Sequence, residues 1–133
     1  MTIFGDGQQT RAFSYIGDVA PLIARSIENT QAYNDTFNVG AEKSFTVNHL
    51  AEVVSAVMGK PANIIYLDTR NEVKHAFSNH NKAAQVFDIP SSTTPLEEGV
   101  RMMLDWAVKV GPRQSSEFEC IEISKNMPQS WKK

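Results

Sequence analysis

Thr2-Ile3-Phe4-Gly5-Asp6-Gly7-Gln8-Gln9-Thr10-Arg11-Ala12-Phe13-Ser14-Tyr15-Ile16-Gly17-Asp18-Val19-Ala20 holds two short apolar runs, a glycine-rich turn between them and the start of a helix. Residues 2–4 and the alternating residues 12–16 read as two strands paired about a polar loop. Asp18 reads as an N-cap, because Val19, Leu22, Ile23 and Ile27 follow it at helical spacing. Pro21 falls in the first turn, where its missing N–H has no intrahelical partner to lose. This helix is expected to end near Asn29.

Downstream, the pattern keeps switching between the two periods. Residues 36–39 read as a short buried strand closed by Gly40. Thr46 can cap a helix with Val47, Leu50, Val54 and Val57 on one stripe, stopped by Gly59 and Pro61. Residues 63–67 are β-rich and a polar segment, 68–74, follows. A third, short helix is expected near Asn79, with Ala83, Val86 and Phe87 inward. Thr94-Pro95-Leu96-Glu97 combines a capping box with proline at the first helical position, and Val100, Met103, Leu104 and Ala107 lead to a Gly111-Pro112 stop. Residues 118–123 read as a last strand. The predicted class is therefore α/β, with few short strands, about four helices and no complete Rossmann domain. Residues 1–123 are expected to form the domain and residues 124–133 a polar, mobile tail in which Trp131 can find a pocket. So few strands leave edges to be satisfied by another polypeptide or by a second copy of the chain.

Composition excludes several functions. At 133 residues, one domain is the natural count. Apolar and charged fractions of 41% and 21% are ordinary for a soluble protein, and no apolar run approaches the length of a membrane span. A net charge of −2 and a pI near 5.9 argue against a nucleic-acid surface. The single cysteine, Cys120, permits no internal disulfide, and with no signal-type segment at the N-terminus the cytoplasm is the expected location. His49, His75 and His80 lack partners at zinc-ligand intervals.

The motif candidates are weak one by one. Gly5-x-Gly7 lacks the third glycine of a dinucleotide loop, Thr10 standing in its place, so it reads as a structural turn. Cys120 has no nearby histidine and no nucleophile elbow surrounds any serine, so nucleophilic catalysis has no carrier. His49, in a helical first turn, and His80, beside an N-cap, read as solvated positions. Arg11 and Arg70 each follow a turn and precede a strand-like run. Guanidinium groups so placed either clamp a phosphate or serve as surface ion-pair partners.

Taken in order, however, these segments resemble a known family. The run from Thr2 to Ala20 is similar to the "tIFGdGxqtRdfxyVxDva" stretch of the extended short-chain epimerases and dehydratases. Phe37-Asn38-Val39-Gly40 resembles that family's "yNvG". Phe45-Thr46-Val47 through Leu50-Ala51 resembles its "sVxeLa", and Arg70-x-Glu72-Val73 with Ser78-Asn79-x-x-Lys82-Ala83 its "RpgDv…aDxsKA". Leu96 through Trp106 resembles its closing "pLeeGlxxmxxW" helix. The likeness covers nearly the whole chain and is nearest to UDP-hexose 4-epimerases.

The resemblance implies a C-terminal, substrate-binding part. Thr2, Ile3 and Phe4 would lie along the nucleotide base, Arg11 and Arg70 would hold the diphosphate, and Glu72 would take the place of an aspartate that bonds the ribose. Ala76, four residues past that acid, would stand where a bulky tyrosine in hexose-specific relatives excludes a 2-acetamido group, so an N-acetylated hexosamine is expected to be accepted as well as, or better than, a plain hexose, unless the shorter Arg70 segment turns Phe77 to the sugar instead. The chain departs from the pattern in Glu72 for Asp, Asn79 for Asp and an Arg70 segment one residue shorter. The family uses NAD, held by a glycine-rich Rossmann half that also carries Tyr-x-x-x-Lys. Here the residues four beyond Tyr15, Tyr33 and Tyr66 are Val19, Phe37 and Arg70. No cofactor is thus expected on this chain alone, catalysis would need an N-terminal Rossmann half as partner, and the sequence reads as a fragment or as a gene encoding only this part. The rival expectation is a non-catalytic module that has lost nucleotide binding and assembles as a homo-oligomer.

Overall fold

The structure, a computed structural model, describes residues 1–88 and 93–114. Its elements are strands β1 (Thr2–Phe4), β2 (Thr10–Arg11), β3 (Phe45–Thr46), β4 (Ile65–Leu67) and β5 (His75–Ala76). Among them run helices α1 (Ile16–Arg25), α2 (Val47–Met58), α3 (Asn81–Phe87) and α4 (Leu96–Val110). The mixed α/β class with four helices and short strands is as the sequence predicted. The strand expected at residues 118–123, Cys120 and Trp131 lie outside the described residues.

The strands do not form the expected local pair. β1 runs parallel to β4, Ile3 opposite Tyr66, whereas β2 lies between β3, antiparallel, and β5, parallel. Two bonds explain the choice. The Gln9 side-chain amide donates to the Phe4 carbonyl (2.9 Å), and the Gly5 N–H donates to the Leu67 carbonyl (2.9 Å), so groups a hairpin partner would need are engaged elsewhere. Residues 12–15 are not strand, and Tyr15 leads directly into α1.

Gly5 and Gly7 both hold φ +71. A Cβ on Gly7 would sit 1.9 Å from Asn48 Oδ1, and one on Gly5 would sit 2.7 Å from Thr69 Cγ2. The Gly5-x-Gly7 turn therefore brings the chain close to α2 and to the segment after β4, which only glycine allows.

Helix starts differ from expectation in an instructive way. Tyr15, not Asp18, is the N-cap of α1, and no side chain caps it. Asp18 sits in the first turn and accepts the Thr94 N–H at 2.8 Å and the Thr94 hydroxyl at 2.9 Å. The Thr94 hydroxyl is thereby withdrawn from the expected capping box, and α4 starts on Pro95 with no side-chain cap. A long-range pair has replaced two local caps. Thr46 caps α2 as expected, its hydroxyl accepting the His49 N–H at 3.1 Å, and Gly59 ends the helix in the left-handed region. α1 ends at Arg25, and Ile27, expected on its apolar stripe, is 74% exposed.

The core is small. Leu22, Ala83 and Phe87 are buried, with Ala32, Phe37, Val39 and Val86 against them. Residues 36–39 have no strand pairing. Phe37 meets the Phe87 ring edge-on at 5.1 Å, and the Asn38 amide donates to the Asn79 carbonyl. The short buried strand read there is not formed, and Thr36 and Asn38 are exposed. α2 packs on α4, leaving an apolar groove between them. Among the described residues, no helix is long and apolar enough to cross a membrane, and no group of three His, Cys, Asp or Glu side chains is placed to hold a metal ion.

Candidate functional site

Parallel strands present their carboxyl ends on the same side, which is where open α/β sheets bind ligands. β1 and β4 do this with three residues each. The chain leaves Phe4 through Gly5 and Asp6, and leaves Leu67 through Asp68, Thr69 and Arg70. These two exits, with Gln9, Tyr66, Glu72 and Lys74, line a cleft of about 760 Å³.

Three of the residues singled out from the sequence, Phe4, Arg70 and Glu72, meet in this cleft. The Arg70 guanidinium carbon lies over the Phe4 ring, 3.3 Å from its centroid, a cation–π contact that holds the cation at the mouth of the β1 turn. Arg11 is not a lining residue but is coupled to the cleft through Glu72, its Nη2 donating to Glu72 Oε2 at 3.1 Å. Arg11 Nη1 donates to the Thr10 carbonyl at 2.8 Å and the Lys74 carbonyl at 3.3 Å, so the head of this side chain is oriented by main chain. The Glu72 N–H in turn bonds the Arg70 carbonyl (3.0 Å), which makes residues 70–72 a tight turn.

The remaining candidates fall around this cluster. Thr2 is exposed, whereas Ile3 is 3% exposed, so its side chain belongs to the interior and only its main chain is available to a ligand. Ala76 lies half-buried on β5, directly opposite Arg11. Sequence reasoning had not singled out Asp6, Gln9, Tyr66, Asp68 or Lys74. The parallel β1–β4 register, which joins residues far apart in the chain, is what collects them.

His80 is the largest surprise. Read from the sequence as solvated, it is 5% exposed, with Nε2 2.8 Å from Ser78 Oγ and Nδ1 3.0 Å from Glu42 Oε1. Because a carboxylate only accepts, Nδ1 donates to Glu42. The Phe77 ring covers the imidazole edge-on at 5.9 Å. Serine, histidine and acid stand in the order of a nucleophilic relay, yet none of the three lines the cleft or the apolar groove. The arrangement pins the start of α3 to the loop before β3.

The Gly5-x-Gly7 turn does not fit a dinucleotide. It leads into β2 rather than a helix, and the space a pyrophosphate would need beside its glycines is filled by Thr69 and Asn48.

No family model matches the chain. UDP-glucuronic acid decarboxylase 1 of Arabidopsis thaliana is 31% identical over 123 residues, which are 89% of this chain and 24% of the relative. The UDP-glucuronic acid 4-epimerase of Bacillus cereus, solved with UDP-glucuronic acid and NAD, superposes with a TM-score of 0.73 at 26% identity, over 83% of this chain and 35% of that one. The UDP-N-acetylglucosamine 4-epimerase of Methanobrevibacter ruminantium, solved with UDP-N-acetylmuramic acid, does so at 0.67 and 31% identity, again over 83% and 35%.

The chain belongs to the NAD-dependent epimerase/dehydratase family. It spans between about a sixth and a third of the length of the curated relatives it matches. As an extended short-chain dehydrogenase relative, it is similar in sequence to a decarboxylase and in fold to an epimerase, so the family fixes the scaffold and leaves the reaction open.

Proposed function

We propose that this chain supplies part of a UDP-sugar site, holding the nucleotide diphosphate and carrying none of the hydride chemistry. The observation that carries the reading is the cleft at the carboxyl ends of β1 and β4, where Arg70 lies over the Phe4 ring and Glu72 joins Arg11 to the same cavity. Planar guanidinium groups suit a diphosphate because they donate in pairs along one edge. Relatives solved with UDP-sugars add support from their shared fold. Proton abstraction has no counterpart here, since no Tyr-x-x-x-Lys pair occurs in the sequence. NAD binding and turnover therefore depend on groups outside these 133 residues.

Calorimetric titration of the chain with UDP tests the reading. Binding is expected, with Arg70→Met weakening it about 10- to 100-fold, as loss of a charge-assisted contact does. An Arg70→Met affinity equal to that of the parent chain would refute the assignment.

For the sugar, the small Ala76 side chain favours an N-acetylated hexosamine, and the M. ruminantium relative acts in that class by name. Joined to a related Rossmann half, the chain is expected to prefer UDP-N-acetylglucosamine over UDP-glucose, and Ala76→Tyr to reverse the ratio. A second reading, a self-associating module without nucleotide binding, is favoured by exposed apolar residues such as Ile23, Met103 and Trp106. It gains ground if UDP does not bind and the chain sediments as an oligomer.

A further inference from the structure

Glu72 faces the cleft beside Arg70 but spends its carboxylate on Arg11, 3.1 Å away, with 40% of its side chain exposed against 28% for Arg11. The cleft is lined by three acids, Asp6, Asp68 and Glu72, and by two bases, Arg70 and Lys74. Such a lining repels a diphosphate unless one acid gives way. Arg11 cannot turn to serve two anions, because its Nη1 is fastened to the Thr10 and Lys74 carbonyls and its Nη2 already meets Glu72. We infer that Glu72 is a resident counter-anion that competes with the incoming diphosphate for Arg11, so that ligand binding must break the Arg11–Glu72 pair. This inference rests on the nucleotide-sugar reading of the cleft. It gives Glu72 a role opposite to that of a ribose acceptor: it limits affinity instead of adding to it. Being part-exposed, the pair can be exchanged without unfolding the β2–β5 pairing that carries Arg11.

The test uses two probes that differ in having a ribose, inorganic pyrophosphate and UDP, titrated calorimetrically into the full chain and into Glu72→Gln, Glu72→Ala, Arg11→Met and Arg11→Met/Glu72→Gln. Competition predicts that Glu72→Gln tightens both probes by about two- to fivefold, the range a part-exposed ion pair can hold back. Glu72→Ala should repeat the gain, and the gain should vanish when Arg11 is already methionine. Weaker UDP binding by Glu72→Gln with pyrophosphate unchanged overturns the inference in favour of a ribose contact. An equal gain without Arg11 overturns it in favour of general charge relief. UDP bound by the parent chain with no gain in either Glu72 variant sinks this inference alone, whereas no binding of either probe by any variant sinks the nucleotide-sugar reading with it.

Discussion

The cleft side of the molecule and the helical side solve opposite problems. Around β1 and β4 polar groups are matched within the chain: Gln9 bonds Phe4, Asn48 bonds Asp6, the Tyr66 hydroxyl bonds Asn48, and Arg11 bonds Glu72. Around α2 and α4 the apolar surface is left open. Leu50, Val54, Met58, Leu96 and Met103 line a groove of about 500 Å³, and Trp106 and Val108 stand 59% and 75% exposed. Hydrogen bonds of the cleft are completed within the chain, three of these four by residues 18 to 61 positions apart. Apolar faces need a second surface to cover them, and the described residues offer none on that side. The polar side is thus matched within the chain, while the apolar side is left uncovered by the described residues.

The largest expected effect strikes the small core. Phe87→Ala removes the ring that packs edge-on against Phe37 in a cluster whose other buried members are Leu22 and Ala83. A loss of about 3–5 kcal/mol is expected, enough to unfold a marginal domain, and urea denaturation followed by circular dichroism measures it. Retained cooperative unfolding near the parent midpoint would show that stability resides on the cleft side instead.

Gly7→Ala probes that side. The residue holds φ +71, and a Cβ there must displace Asn48, which costs the Asn48 bonds to Asp6 and Tyr66. About 1–3 kcal/mol of destabilisation is expected. If cleft and helices form one cooperative unit, both far-ultraviolet signal and UDP binding fade together on heating this variant. Separate transitions would mean that the two sides fold independently.

The open helical face is addressed by Met103→Lys with Val108→Lys. Both residues are largely exposed, so stability should change by less than about 0.5 kcal/mol, and on the self-associating reading sedimentation should show a smaller species than the parent chain gives. An unchanged oligomer would move the interface elsewhere.

The same division governs what could be read from the sequence. The α2 cap at Thr46, the left-handed stop at Gly59 and the inward faces of α3 were legible because each depends on neighbours within one or two turns. The N-cap reading of Asp18 and the capping box at Thr94 failed together, because the two side chains bond each other across 76 positions. Likewise Ile3 and Tyr66, or Arg11 and Ala76, become neighbours only through parallel pairing, which leaves no local mark. Arg11, Arg70 and Glu72 were legible as candidates through an ordered resemblance. Their pairing was not, since a sequence does not say which anion an arginine prefers. His80 was misread for the same reason: its partner Glu42 lies 38 residues away.

The smallest effect expected is a pH dependence at a contact that belongs to neither side. Lys82, on α3, donates to Asp35 Oδ1 and to the Thr36 carbonyl at 3.1 Å, and its ammonium lies 4.7 Å over the Phe37 ring, tying the loop before Phe37 to the core helix. The hydrogen bond from Lys82, and after it the Thr36 N–H, hold the Asp35 carboxyl below the usual carboxylate range. Because the folded value is the depressed one, the unfolded chain binds more protons in acid. The contribution is therefore complete above the ordinary aspartate value and is lost as pH falls through the folded one. Exposure of both side chains, 52% and 43%, keeps it small and salt-sensitive. Urea midpoints measured at descending pH should fall less steeply for Lys82→Met than for the parent chain, and the difference should shrink at high salt. Parallel acid limbs for the two proteins would mean that Lys82 acts by packing on Phe37 and not through charge.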